Sequence, residues 1–245
     1  MTNSQDNAPV LQPKKKFLRI PIIVVVIFIV ALGVLLFSLL GGSKIALPEL
    51  GASTPVPDEE SQELVVAAQV AIAQDDPEQA LEAVSEAIDK DAGNPGAYLQ
   101  RAKILLDAGK PAEALEDLRN AAAGLPEDPE VYYYQGVAHF KMEQYEDARL
   151  MLTRAIDLRL DYADAYYWRA MTNGKLGNWG MTVTDLDIFL GYHPTDPNGL
   201  LEHGKALMQT GRMQDAANDF RLLISLQPDQ ALVDEATSLL GQTGY

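Results

Sequence analysis

Few side chains in this sequence are placed to do acid–base or covalent chemistry. The three histidines, His139, His193 and His203, do not fall at spacings that bring imidazoles onto one metal ion. There is no cysteine, which removes thiolate metal sites, a cysteine nucleophile, disulfides and a lipidated N-terminal cysteine together. Asp185 and Asp187 form a carboxylate pair, but two residues apart on a helix they point different ways, and both read as solvated surface. No glycine-rich phosphate loop, His-Glu-x-x-His or Gly-x-Ser-x-Gly occurs. The sequence therefore points away from an enzyme, and no metal, cofactor or small-molecule substrate is expected.

The chemistry on offer is adhesion. Tyr133, Tyr134, Phe140, Tyr167, Trp168 and Met171 share one inferred helical face with Lys103, Lys141, Lys175 and Lys205. Leu99, Leu201 and Met208 join that face in neighbouring segments. Aromatic residues and methionine are enriched in binding hot spots. Lysines recurring within an acidic chain would orient an acidic partner segment. The alternative is partial burial of the aromatics against a neighbouring helix, with the lysines lying over apolar surface.

These residues need a repeated element to position them, and the sequence supplies one. Steps of 34 residues from Ala80 reach Ala114, Ala148, Thr182 and Ala216. Four residues after each stand Val84, Leu118, Leu152, Leu186 and Phe220. Small residues precede them in the same register, namely Ala68, Ala102, Gly136, Ala170 and Gly204. Large ones stand one helical turn earlier, namely Leu64, Tyr98, Tyr132, Tyr166 and Leu200. Large–x–x–x–small places both on one helical face, and the small residue admits a second helix. Gly109, Gly177 and Gly211 stop the first helix on a left-handed turn. Pro77 and Pro111 then open the second helix, and Pro126, Pro194 and Pro228 follow its end. The first unit lacks this glycine turn and has Asp-Asp-Pro-Glu-Gln-Ala instead. Tyr98, Tyr132, Tyr145, Tyr166 and Trp179 are expected in the core.

The 34-residue period and its pattern of large and small residues resemble the tetratricopeptide repeat. The resemblance is strongest in 131–158 and 165–194 and covers nearly all of 61–230. It implies an all-α, right-handed superhelix of about five helix–turn–helix units, at 61–94, 95–128, 129–162, 163–196 and 197–230. A capping helix is expected at 231–241. Such an array lines its concave wall with the first helices and holds a protein or peptide there. Members that grip a C-terminal carboxylate use an Asn with Lys or Arg on this wall. Val137 and Met171 stand at the asparagine places, so an apolar or extended peptide with some acidic character is the expected occupant.

The N-terminal part has a different composition. The run 20–40 is almost wholly apolar, and a bilayer core of about 30 Å needs roughly 20 helical residues. A cleaved signal peptide is the rival reading, but its apolar region is usually only about 7–15 residues. Lys14, Lys15, Lys16 and Arg19 on the N-terminal side place residues 1–19 in the cytoplasm. Residues 41–60, rich in Gly, Pro and Ala, read as a solvated tether. The net charge of −16 disfavours nucleic acid, whose binder must neutralise phosphates. The expected protein is a single-pass, membrane-anchored scaffold with its repeats outside the cytoplasm. The alternatives are a cytosol-facing receptor or co-chaperone of the organelle-import type, and a self-associating structural protein. The partner's identity and the oligomeric state are not written in the sequence.

Overall fold

Aspartate, asparagine and proline decide where most of the helices begin. The structure, a computed structural model, describes residues 57–245. The tail at 1–19, the apolar run at 20–40 and the tether up to residue 56 lie outside the described residues. Eleven helices occur among the described residues: α1 (Glu59–Ala73), α2 (Pro77–Lys90), α3 (Pro95–Asp107), α4 (Pro111–Gly124), α5 (Pro129–Lys141), α6 (Tyr145–Leu158), α7 (Ala163–Lys175), α8 (Trp179–Tyr192), α9 (Pro197–Gln209), α10 (Met213–Leu226) and α11 (Gln230–Thr243). The side chains of Asp58, Asn94, Asp128 and Asp196 accept hydrogen bonds from the first free amides of α1, α3, α5 and α9. Pro95, Pro129 and Pro197 occupy the first turns of three of these helices, where a missing N–H costs little.

One residue in every 34 turns the chain between the two helices of a pair. Asp75, Gly109, Glu143, Gly177 and Gly211 all have left-handed backbone, with φ of 60°, 74°, 61°, 75° and 79°. The first unit therefore turns at the same place as the others, with aspartate in place of glycine. Aspartate tolerates this conformation better than most residues because its short side chain bonds locally.

Each helix packs against the next in the chain, so the array is an all-helical solenoid. Contacts between alternate helices run only along α1, α3, α5, α7, α9 and α11. Among the described residues no second helix reaches another second helix. The first helices therefore crowd together on the inner wall, while α2, α4, α6, α8 and α10 splay on the outside. α11 continues the inner row and covers α9 and α10, extending a little beyond 231–241 at both ends.

The core follows the sequence register. Val84, Leu118, Leu152, Leu186 and Phe220 are fully buried, as are Ala68, Ala102 and Ala170. Fully burying such an apolar side chain stabilises by about 1.5–3 kcal/mol. Gly136 and Gly204 are small for a measurable reason. A Cβ on Gly136 would lie 2.5 Å from Leu152 Cγ, and one on Gly204 would overlap Phe220 Cε1. The large aromatic at the head of a unit ties it to the preceding loop. The Tyr132 hydroxyl donates to the Pro126 carbonyl at 2.8 Å, and the Tyr166 hydroxyl to that of Leu160 at 3.2 Å. Tyr166 is buried, whereas Tyr98, Tyr132, Tyr145 and Trp179 are only half-buried. Their ring bodies pack while their polar ends keep access to water.

Candidate protein-binding groove

The inner wall brings the sequence-expected aromatics together, but as a half-buried layer rather than an open patch. Tyr133 contacts Tyr134 at 4.8 Å between ring centroids and Tyr162 at 4.9 Å. Phe140 meets Trp168 edge-on at 5.2 Å, and Tyr167 reaches Phe189 at 5.0 Å. Tyr133 and Trp168 each pack on the cores of two successive units, and Met171 packs on the second of these. These side chains therefore glue neighbouring units as well as surfacing the groove. Burial pushes the Tyr134 hydroxyl up to about 12, reinforced by Glu130, Asp107 and Asp164. Burial likewise raises Tyr133, with Asp164 next in effect, and Tyr162, with Tyr133 next. Tyr167 is raised by burial and by Glu202.

The expected face contains residues that the fold uses elsewhere. Leu201 is 4% exposed and belongs to the core between α8, α9 and α10, so it cannot line a groove. Leu99 and Val137 are buried too. All three lie on the flank of a first helix that the neighbouring unit covers, which a register argument cannot separate from the open flank. The lysines divide into two kinds. Lys103 is spent on Glu130 at 2.7 Å and on the face of Tyr134 at 5.0 Å. Lys205 sits between Glu202 and Glu235, each at 2.8 Å. Burial acts to lower the Lys205 pKa, but its hydrogen bonds to these two carboxylates outweigh it and the net shift is upward. Lys141 and Lys175 are exposed and have no ion pair among the described residues. Met208 remains half-buried on α9.

Asp185 is not solvated surface. It is 4% exposed and accepts from Arg169 Nε at 2.9 Å and Nη2 at 2.7 Å, while Asp187 on the same helix is exposed. Arg101 and Asp117 make the same fork two helix pairs earlier, and His203 Nδ1 meets Asp219 at 2.8 Å one pair later. The signal was present in the sequence: Arg101, Arg169 and His203 share the 34-residue register, and so do Asp117, Asp185 and Asp219. These pairs join the first and second helix of one unit and are structural. Among the described residues, no group of three or more His, Asp or Glu side chains is placed to hold a metal ion.

A hollow of about 670 Å³ opens at the other end of the wall, between α1, α3 and α5. Ile72, Ile104 and Tyr134 form its apolar surface, with Gln69, Gln100 and Lys103 beside them. Asp75, Asp76 and Asp107 stand at its margin. Sequence reasoning missed it because it depends on Gln100, Lys103 and Ala108 standing where the next unit has Tyr134, Val137 and Met142.

Two family profiles, both described as tetratricopeptide repeat, match this chain at 71–116, 105–173 and 198–230, together more than half of it. Mouse sperm-associated antigen 1 is 28% identical over 104 residues, 42% of this chain and 11% of that protein. The chain thus spans about a tenth of the length of that relative. The crystal structure of the MamA protein superimposes with a TM-score of 0.60 at 23% identity, covering 71% of this chain and 94% of that one. YrrB, described as a tetratricopeptide-repeat protein with an unusual peptide-binding site, gives a TM-score of 0.60 at 19% identity over 71% of this chain and 90% of its own.

Proposed function

Starting from the chain's membership of the tetratricopeptide-repeat family, we propose that it is a membrane-anchored scaffold that holds a segment of a partner protein along its inner wall. The observation that carries this reading is the inner row itself. Six first-type helices line one continuous face, and its middle presents Tyr134, Phe140, Tyr167, Trp168 and Met171 beside the unpaired Lys141 and Lys175. YrrB, of the same fold, has a peptide-binding site, which supports a peptide as the occupant. The apolar run at 20–40 serves as the anchor, with 1–19 in the cytoplasm and the repeats outside it, on the strength of Lys14, Lys15, Lys16 and Arg19. A short tether raises the partner's effective concentration at the membrane surface.

Two measurements test this. A photo-cross-linking residue at Lys175 should give a discrete adduct in cells that make the protein, whereas one at Glu116, exposed on α4, should not. Adducts at both positions, or at Glu116 alone, would move the partner off the inner wall. Protease added to intact cells or spheroplasts should digest the repeats. Protection until the membrane is lysed would reverse the proposed orientation.

A self-associating protein is the second reading. It is favoured by the apolar surface of α1, where Val66 and Val70 are about half exposed. Light scattering on the full chain in neutral nanodiscs, with one chain or two per disc, decides between them.

A further inference from the structure

We propose that the hollow between α1, α3 and α5 seats a basic segment of the partner, one apolar side chain on Ile72, Ile104 and Tyr134 and its Lys or Arg side chains against Asp75 and Asp107. This rests on the scaffold reading and adds the class of segment that the groove takes at this end.

The apolar part of the argument is exposure. Ile72 is 45% exposed, although Leu106, one unit further on in the same register, is 3% exposed. Leu106 shares its core with Tyr134, Val137 and Met142 of the following unit, and 34 residues earlier those places hold Gln100, Lys103 and Ala108, which leave Ile72 open at the hollow. Below it Ile104 is 6% exposed and Tyr134 is half-buried. A hollow of about 670 Å³ lies within the roughly 300–1,000 Å³ range of ligand sites. It can therefore take a large aliphatic side chain together with its flanking backbone.

The charge decides what accompanies that side chain. Asp75 and Asp107 are exposed, and neither has an ion pair among the described residues. Asp76 also lies at the margin, but its carboxylate accepts from the Gln79 amide and caps α2. The one basic group lining the hollow, Lys103, is already held by Glu130. The free charge is therefore negative. The same row changes sign along the groove: 34 and 68 residues beyond Asp107 stand Lys141 and Lys175. A segment lying along the wall is thus selected for a basic end at α1–α5, and complementary charge fixes its direction. The proposal adds a basic end to the expected apolar or extended peptide with some acidic character.

The experiment uses the full chain in neutral phosphatidylcholine nanodiscs and two labelled octapeptides, Ser-Gly-Lys-Leu-Arg-Leu-Gly-Ser and Ser-Gly-Glu-Leu-Asp-Leu-Gly-Ser. Fluorescence anisotropy reads binding, with empty nanodiscs as the blank. The basic peptide should bind more tightly than the acidic one. The double substitution Asp75→Asn/Asp107→Asn should weaken it at least fivefold, and asparagine keeps the left-handed turn at residue 75. Glu82→Gln/Asp157→Asn removes two exposed charges from second helices and should leave binding unchanged. Ile72→Ser should weaken the basic peptide without lowering the melting temperature, since that side chain is open. The proposal is overturned if the acidic peptide binds as well or better, if neither binds, or if both double variants weaken binding equally. That last result would show diffuse attraction to an acidic domain. Cross-linking at Lys175 is independent of all these outcomes, so the scaffold reading can stand while this inference fails.

Discussion

Replacing Asp185 with alanine should be among the most damaging single changes in the array. Its carboxylate accepts two hydrogen bonds from Arg169 and a third from Asn173 Nδ2 at 3.2 Å. Asn173 is fully buried, and the side-chain exposures of Arg169 and Asp185 are 19% and 5%. Breaking a buried pair by removing one partner costs about 3–5 kcal/mol, because a charge is left behind. Arg169 keeps a narrow path to water, which places Asp185→Ala near the lower end, about 3 kcal/mol. The third unit shows how the site can be filled without ions, since Gln135 and Met151 stand at the corresponding places. Gln135 Nε2 donates to the Leu118 carbonyl at 3.2 Å instead. The double variant Arg169→Gln/Asp185→Met should therefore be more stable than Asp185→Ala by about 1–2 kcal/mol, even though it changes more atoms. Urea unfolding followed by circular dichroism reports the whole array. Tryptophan fluorescence reports the fourth unit, because Trp168 and Trp179, the two tryptophans of the sequence, both lie there. Coincident curves from the two probes justify a single free energy. Loss of less than about 0.5 kcal/mol in Asp185→Ala, the range of ordinary surface changes, would refute the reasoning. So would a double variant whose cost is the sum of the two singles.

Three further outcomes follow from local geometry. Gly136→Ala should cost about 1–3 kcal/mol by overpacking Leu152, whereas Gly180→Ala, whose Cβ would meet nothing within 4 Å, should stabilise by about 0.4–1 kcal/mol; urea midpoints moving together would contradict this. Glu143→Gly should raise the urea midpoint by relieving a left-handed glutamate, a gain of about 0.5–1 kcal/mol after glycine's extra entropy is counted; a lower midpoint would show that the Glu143 side chain matters in its own right. Tyr133, Tyr134, Tyr162 and Tyr167 hold their protons more tightly in the folded state than in the unfolded one. Their contribution is thus complete below about pH 10, the unfolded value, and is lost as pH rises through the folded values. Absorbance at 295 nm should rise in two phases, the second coinciding with loss of helical dichroism. A single phase near pH 10 with helicity intact would rule this out.

The period was legible because it is written in residue size. Alanine or glycine opposite leucine or phenylalanine every 34 residues fixes which faces meet, and the helix pairs follow. What escaped was of three kinds. The turns at Asp75 and Glu143 carry no glycine, yet the packing on either side forces their backbone into the same shape. Asp185 looked solvated because polarity was read one residue at a time; its burial shows only when Arg169, sixteen residues earlier, is placed beside it. Leu201 looked available because a helix has two flanks beside its core stripe, and only the neighbouring unit decides which one is covered. The hollow at α1 was invisible for a related reason. It opens where Gln100, Lys103 and Ala108 stand in place of the Tyr134, Val137 and Met142 of the next unit, and a register read for what recurs passes over a break in one copy.

The arrangement of contacts has a mechanical meaning. Adjacent first helices touch, and the second helices behind them stand apart, so the array is held like a fan gripped along its inner edge. Bending it changes the spacing of α1, α3, α5, α7 and α9, and each outer helix follows through its contact with the first helix of the next unit. Groove width and curvature are therefore one coordinate. A segment that wedges the inner helices apart straightens the fan, and one that draws them together tightens it. A segment lying across α3 and α5 would thus be felt first in the spacing of those two helices.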